Sequence, residues 1–410
     1  MNGSTAGKTL LQFGAGNIGR SLLGQLFSRA GYRVVFVDIN STLVKLINKQ
    51  GAYRVVVKQS GKPDEIIIVN DVSAIDGRDV VKVSEAVAAA DIVGTSVGKS
   101  VLPLLAPVLA DGIKKRFADG ADRCLDIILA ENVRDGAEVL SRRIADHLPE
   151  DVPLTGRVGV VGTSIGKMVP IMRDEDLVKD PLWVFAEPYN KIIVDRCAFC
   201  GAVPEVKGLE PVDNIAAYVD RKLFIHNLGH AATAYLGYLK HPELETIAEQ
   251  IEVPEIRREV VAAMRSAAGA LVREYPDDFA PTDLEEHIQD LVGRFANQAL
   301  GDTVYRVGRD VPRKLGPDDR LVGAARLAYK HNCDRRPIET VIAAAFFFEA
   351  TDESGALYPE DAHFREEGMA DGVESTLVTI CGLTEETDRE IRDEIMNEYN
   401  RLAGERRGRR

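Results

Sequence analysis

Short apolar runs alternate with stretches of helical spacing through the first half of the chain. Thr9-Leu-Leu-Gln-Phe13 ends in glycines. Ile18, Leu22, Leu23, Leu26 and Phe27 then recur at helical spacing as far as Ala30, and Tyr32-Arg-Val-Val-Phe-Val37 is β-branched and nearly continuous. Similar runs follow at Ile66-Ile-Ile-Val69, Asp91-Ile-Val-Gly-Thr95, Asp126-Ile-Ile-Leu-Ala130 and Arg157-Val-Gly-Val-Val-Gly162. A strand covered on both faces reads as an unbroken apolar run, so this alternation predicts an α/β fold with a doubly wound parallel sheet. From Asp213 the pattern lengthens and becomes helical, at 213–240, 255–274, 284–300, 321–330, 338–349 and 387–403. The periodicity breaks at Cys197-Ala-Phe-Cys-Gly-Ala-Val-Pro204. That break predicts a nucleotide domain over 1–200 and a mostly α-helical domain over 201–410.

With 410 residues, the chain has room for more than one buried core. Fifty-one Lys and Arg against 64 Asp and Glu give a net charge of −13, which disfavours nucleic acid or an anionic membrane as a partner. No run of about 18 apolar residues could span a bilayer. The polar start, Met1 to Thr9, lacks the apolar core of a signal peptide. Five cysteines, odd in number and sparse, argue for reduced thiols and a cytoplasmic protein. Cys197 and Cys200 form a Cys-x-x-Cys with no second pair, which reads as free structural thiols and no metal site. The basic end, Glu405-Arg-Arg-Gly-Arg-Arg410, reads as a solvated, frayed terminus. Nothing in the sequence fixes an oligomeric state.

Phe13-Gly-Ala-Gly-Asn-Ile-Gly-Arg20 is a G-x-G-x-x-G with a strand before it and a helix after it. Gly14 allows the tight turn, and Gly16 lets the backbone approach a pyrophosphate. Gly19 lets helix and strand pack closely, and the helix opened by Asn17 and Ile18 offers amides to the phosphates. Asp38 ends the next strand, where a carboxylate accepts hydrogen bonds from the adenosine ribose and repels a 2′-phosphate. NAD is therefore favoured over NADP, and the domain reads as Rossmann-type. Gly94-Thr-Ser-Val-Gly98 ends another strand on the same edge, with Thr95 a candidate contact to the dinucleotide; a plain strand-to-helix turn fits it as well. Gly3-Ser-Thr-Ala-Gly-Lys-Thr9 approximates a P-loop, but it is one residue short and has no strand before it.

Arg221-Lys-Leu-Phe-Ile-His-Asn-Leu-Gly-His230 is the densest polar cluster in the helical half. At about 100° per residue, Lys222, Asn227 and His230 fall within an arc of about 140°, so one helix face could present an amine, an amide and an imidazole. His226 falls inside the same arc, and geometry does not choose between the histidines. A helix with solvated polar groups fits the pattern equally well.

Continued through Ala231-Ala-Thr-Ala-Tyr-Leu-Gly237, the stretch resembles the Lys-x4-Asn-x2-His helix of the zinc-independent polyol long-chain dehydrogenases. The likeness extends to the glycine loop at 13–20, to Glu131-Asn-Val-Arg134 and to Asp220-Arg-Lys-Leu-Phe224. It continues through Tyr305-Arg-Val-Gly-Arg309, Arg313-Lys-Leu315 and Asp319-Arg-Leu321. The resemblance implies that Lys222 is the general base, which requires an amine held well below its ordinary range of about 10.4. It implies that Asn227 and Asn132 stabilise the alkoxide, that His230 holds a neighbouring hydroxyl and that no metal takes part. Asn132 also stands just beyond the apolar run 126–130, at the edge where an α/β sheet meets its ligand.

Arg306, Arg309, Arg313 and Lys314 lie on a loop-like stretch with Gly308 and Pro312. Such a strip could be solvated surface or a guanidinium fork for phosphate. By resemblance, Arg306 and Lys314 face substrate, while Arg309 and Arg313 belong to the phosphosugar branch. The implied reaction is NAD-dependent interconversion of D-mannitol 1-phosphate and D-fructose 6-phosphate, a small sugar phosphate being the partner. A free hexitol or hexuronate is the alternative substrate, and a non-catalytic NAD-sensing module the alternative of another class. One departure stands out: the family pattern has Val-Asp-Arg ahead of a Pro, and this chain has Ile165-Gly-Lys167 ahead of Pro170. The missing Asp removes an acceptor for a sugar hydroxyl.

Overall fold

The computed structural model describes residues 7–118, 123–131, 133–149, 152, 154–172, 174–384 and 386–409. Two compact units divide the chain, Met1–Val219 and Asp220–Arg410.

In the first unit, β1 (Thr9–Phe13) leads through a π-helical turn (Gly19–Gly24) into α1 (Gln25–Arg29) and β2 (Arg33–Asp38). After α2 (Ser41–Gln50) come β3 (Ala52–Val57), β4 (Glu65–Asn70), β5 (Val72–Asp76) and α3 (Val80–Ala89). Then follow β6 (Ile92–Thr95), α4 (Ala106–Ala118), β7 (Leu125–Leu129), α5 (Gly136–Ala145) and β8 (Val158–Val161). The main sheet has the order β5-β2-β1-β6-β7-β8, and all its strands are parallel. The order reverses between β1 and β6, the switch point at which sheets of this kind bind ligands beyond their carboxyl ends. Leu10 belongs to the core cluster on one face and Leu11 to that on the other, which is why successive positions of β1 are apolar.

The run at 66–69 lies outside this sheet. It forms β4, antiparallel to β3, and Ile66 and Ile68 are 55% and 57% exposed. An apolar run does not distinguish a strand buried on both faces from one at the margin. The outer strand on that side is β5, whose Val-Ser-Ala-Ile-Asp sequence is too mixed to stand out. Beyond β8 lie β9 (Thr163–Ser164), α6 (Asp174–Lys179), β10 (Val184–Ala186), β11 (Ile192–Asp195) and β12 (Leu209–Val212). The division falls after Val219, beyond the break at 197–204, because β12 pairs in parallel with β11.

Cys124, just ahead of β7, forms a disulfide with Cys200, with Cα atoms 5.8 Å apart. The expectation of free thiols throughout is corrected here; sequence spacing gives no hint of a partner 76 residues away. Cys197, Cys333 and Cys381 are free.

The second unit is helical. Helix α7 (Ile215–Arg221), which begins before the division, runs into a π-helical stretch (Lys222–Asn227) and α8 (Leu228–Lys240). Then come α9 (Ile247–Glu252), α10 (Pro254–Glu274), α11 (Pro281–Phe295), α12 (Val304–Gly308), α13 (Val311–Lys314), α14 (Val322–Lys330) and α15 (Arg336–Ala345). The chain ends with α16 (Pro359–His363), α17 (Val373–Thr379) and α18 (Arg389–Arg409). Pro at its start and Val260, Met264, Ala267 and Leu271 on its buried face make α10 the central helix. Gly229 of α8 lies so close to α10 that a Cβ there would stand 2.6 Å from the Met264 sulfur.

Two expectations are corrected. The tail is helical to Arg409, with Arg401 bridging Glu398 and Glu405 and the Arg406 guanidinium 5.6 Å from the Phe347 ring centre. The stretch carrying Arg306 to Lys314 is two short helices rather than a loop, because Thr303 caps α12 and Asp361 receives the amides of Asp310 and Val311 at the start of α13.

Candidate active site

The glycine loop sits at the carboxyl end of β1. Gly14 has φ +88°, and a Cβ there would lie 2.6 Å from the Ser96 carbonyl oxygen; one on Gly19 would collide with the Gly14 carbonyl oxygen. At Gly16 a Cβ would meet nothing within 4 Å, and Gly16 and Asn17 are exposed, so the turn is open where a pyrophosphate would approach. Ile18 is half-buried and packs on the core below. Asp38 accepts the Ala15 amide at 2.8 Å through one carboxylate oxygen and the Asn40 amide at 2.8 Å through the other. A carboxylate oxygen can accept a second hydrogen bond, so Asp38 has capacity left for ribose hydroxyls. These residues fit a dinucleotide.

Several supporting residues escaped the motif. The buried Arg20 donates to the carbonyls of Ala15 (2.7 Å) and Leu182 (2.8 Å), while Tyr53 donates to the Arg20 carbonyl (2.7 Å). Arg20 therefore braces the loop from behind. Thr95 is fully buried and donates its hydroxyl to Glu131 (2.6 Å), whose other oxygen accepts the Val97 amide (2.8 Å). The Thr95 side chain thus anchors the turn after β6, at the end of the strand where Thr95 is a candidate cofactor contact. The signal for Glu131 was its place beside Asn132, which itself lies outside the described residues.

In the second unit, Lys222 and Asn227 open and close the π-helical stretch, in which the Leu228 amide reaches back to the Leu223 carbonyl. The widened turn corrects the regular-helix arc: the Lys-x4-Asn spacing matches the i→i+5 repeat of a π-turn, a distortion often found at functional sites. Burial, with the Arg320 charge adding to it, lowers the Lys222 pKa to about 7. His230 stacks on Phe295 with ring centres 4.9 Å apart and places Nε2 3.7 Å from Asp302. Burial and the charges of Arg320 and Arg306 lower its pKa to about 3, so it is a neutral imidazole at physiological pH. His226 is buried deeper, 5.7 Å from Phe295 between ring centres, and burial holds it neutral too.

Asp302 pairs with Arg306 and borders His230, a link that sequence reasoning missed. The hydroxyl of Tyr235 on α8 donates to the Gly308 carbonyl at 2.9 Å and so ties this helix to α12. Arg309 lies over Tyr305 and Tyr358, at 5.7 and 5.1 Å from their ring centres. Arg313 pairs with Asp310 and Asp319, and Arg320 pairs with Asp319 at 2.8 Å. Lys314 is buried with its amine on the Arg309 carbonyl, and burial together with Arg320 lowers its pKa to about 7. Lys222, His230 and Lys314 therefore all feel the charge of Arg320.

A sequence profile described as the mannitol dehydrogenase Rossmann domain matches residues 8–208, and one described as the mannitol dehydrogenase C-terminal domain matches 214–401. The chain belongs to the mannitol dehydrogenase family. Among curated relatives within this family, the mannitol-1-phosphate 5-dehydrogenase of Bacillus subtilis is 37% identical over 91% of this chain and 95% of its own length. That of Bacillus velezensis is 38% identical over the same shares. Among solved structures, a substrate-free D-sorbitol dehydrogenase aligns at TM-score 0.78 and 17% identity, covering 95% of this chain and 92% of its own. Pseudomonas fluorescens mannitol 2-dehydrogenase, in complex with NAD and D-mannitol, aligns at TM-score 0.72 and 15% identity over 97% and 92%. At those identities they establish the fold of the mannitol dehydrogenases for this chain.

The departure from the family pattern at 166–167 has a structural answer. Lys167 is buried, and its amine donates to the Tyr189 carbonyl (2.8 Å), the Asn190 side-chain oxygen (3.1 Å) and the Glu187 carbonyl (3.4 Å). It ties the 187–190 loop and does not replace the missing Asp. Among the described residues, no three His, Cys, Asp or Glu side chains gather where they could hold a metal, and no helix is long and apolar enough to cross a membrane.

Proposed function

We propose that the chain is an NAD-dependent oxidoreductase that interconverts D-mannitol 1-phosphate and D-fructose 6-phosphate, with Lys222 as general base. The observation that carries this reading is an amine with a pKa of about 7 at the head of a π-turn that ends in Asn227, in a chain whose relatives carry that name over nine-tenths of its length. When bound, NAD would accept the hydride from the carbinol carbon. Lys222, neutral near pH 7, takes the hydroxyl proton as the C–H bond breaks, and the electron pair left on oxygen closes the carbonyl. Asn227 and Asn132 donate to the oxygen while it carries charge. The neutral imidazole of His230 holds the neighbouring hydroxyl.

Gly14, Gly16, Asn17, Ile18 and Gly19 receive the pyrophosphate, and Asp38 the ribose. Arg309 and Arg313 receive the phosphate of the substrate, and Arg306 and Lys314 face the rest of it. Their carboxylate and tyrosine partners hold the guanidiniums in place before substrate arrives, which lowers the ordering cost of binding. Those same pairings favour a second reading, in which the carboxylates already satisfy the arginines and the substrate is an unphosphorylated hexitol or hexuronate. NADH oxidation with D-fructose 6-phosphate against free D-fructose separates the two. A kcat/KM ratio above about 100, equal to about 2.7 kcal/mol of transition-state discrimination, supports phosphate recognition. A ratio near one returns the arginines to structural pairing.

A further inference from the structure

The edge that carries Asp38 holds a second carboxylate and a cation outside the glycine motif. Asp38 and Asp76 stand side by side in register at the carboxyl ends of β2 and β5, and the Gly77 amide donates to the Asp38 carbonyl at 3.0 Å. Asp76 grips Arg78 at three points. One carboxylate oxygen accepts the Arg78 amide (3.0 Å) and Nε (2.9 Å), and the other accepts Nη2 (2.9 Å). The same Nη2 donates to the Ile39 carbonyl at 3.1 Å, so the guanidinium reaches from the end of β5 to the residue that follows Asp38. Nη1 carries no bond among the described residues. Ile39 and Arg78 are both exposed, so the ground beside Asp38 is open.

We propose that Asp76 and Arg78 are specificity-determining residues for the adenosine ribose, a pair whose balance with Asp38 decides between a 2′-hydroxyl and a 2′-phosphate. This rests on the reading of Asp38 as the ribose acceptor and adds the two groups beside it. Asp38 and Asp76 against Arg78 leave one net negative charge at this edge, and a 2′-phosphate would bring up to about two more. In NADP sites of this fold an arginine takes the 2′-phosphate, and its planar fork matches the phosphate oxygens. Here Asp76 already occupies two nitrogens of that fork and cancels its charge.

The charges nearby leave this balance to the pair. Asp79 caps α3 and pairs with Lys82 at 2.7 Å. Lys45 of α2 acts on Asp76 less than Arg78 does. An exposed ion pair adds little stability, so removing the Asp76 charge should leave the fold intact and release the guanidinium.

The test reads cofactor binding, without turnover. Fluorescence titration of the intact protein with NADH and with NADPH, at low ionic strength, gives the ratio of the two dissociation constants. In Asp76→Asn, which keeps an oxygen for the Arg78 amide, the NADPH-to-NADH ratio should fall about five- to tenfold. That is the effect of one charge on a doubly charged phosphate about 7 Å away in water-like surroundings. Asp76→Ser should give the same fall and guards against a defect peculiar to the amide. Adding Arg78→Gln to Asp76→Asn restores the net charge without the fork, and should return the ratio to within about twofold of wild type. An unchanged ratio in both Asp76 variants overturns the proposal. So does a fall that persists when Arg78→Gln is added, which would trace it to a general loss of negative charge. Failure of the underlying reading is separate: Asp38→Ala would then weaken NADH and NADPH equally, whatever the ratios in the Asp76 variants.

Discussion

Asp38→Ala separates two parts played by one carboxylate. In the free protein each oxygen of Asp38 accepts one amide at 2.8 Å, from Ala15 and from Asn40. The Asn40 amide is exposed, so water replaces its partner at small cost, whereas Ala15 is fully buried at the turn of the glycine loop. Losing that acceptor should cost about 1–3 kcal/mol, felt partly as stability and partly as a looser loop. The remaining acceptor sites are those offered to the ribose, and charge-assisted hydrogen bonds there contribute about 1.5–3 kcal/mol to binding. The NADH dissociation constant should therefore rise by about 10- to 150-fold. NADPH should move the other way relative to NADH, because the variant no longer repels a 2′-phosphate. Fluorescence titration with both reduced cofactors, on protein whose melting temperature is recorded alongside, gives the two constants. Equal weakening of NADH and NADPH would show that Asp38 serves the loop alone and would refute the ribose assignment.

Lys167→Met removes an amine bonded to two carbonyls and the Asn190 side chain. It should lower stability by about 2–4 kcal/mol while leaving KM for the sugar phosphate within about twofold, as melting and steady-state kinetics would read. Cys200→Ser, or reduction of the wild type, opens a loop spanning 76 residues and should lower stability by up to about 4–5 kcal/mol on the chain-entropy scale, measured as a drop in melting temperature. With the Lys222 pKa lowered to about 7, polyol oxidation needs the neutral amine and ketose reduction the ammonium form. The kcat/KM for oxidation should therefore fall about tenfold for each pH unit below 7, and that for reduction should fall above it; parallel profiles in the two directions would contradict the assignment.

Much of the fold was legible because burial on both faces of a parallel sheet leaves a continuous apolar signature, as in β1, β2 and β7. The hairpin of β3 and β4 was misread for the same reason, since Ile66 to Val69 carry that signature at a margin of the fold. The glycine loop could be read through to its chemistry because tight turns and close approaches admit few residue types. The π-turn was hidden: a repeat of five leaves a spacing that an ordinary helix face also tolerates, and only tertiary packing selects between them. Glu131, Asp319 and Arg320 stood in stretches that carry the family likeness, but their roles, like that of Asp302, were not legible, since a buried carboxylate or a clamped arginine says nothing until its partner is known. The cysteine pair and the commitment of Lys167 to carbonyls belong to the same class, contacts between positions far apart in sequence.

The central claim is that Lys222 carries the proton in the chemical step. Single-turnover oxidation by Lys222→Ala, preloaded with NAD and mixed with D-mannitol 1-phosphate, tests it most directly. The rate should fall by about 10²- to 10⁴-fold, with NADH affinity within about twofold of wild type and partial recovery on adding a small primary amine. A variant that turns over at near the wild-type rate, or one whose loss is explained by failure to bind cofactor, would contradict it.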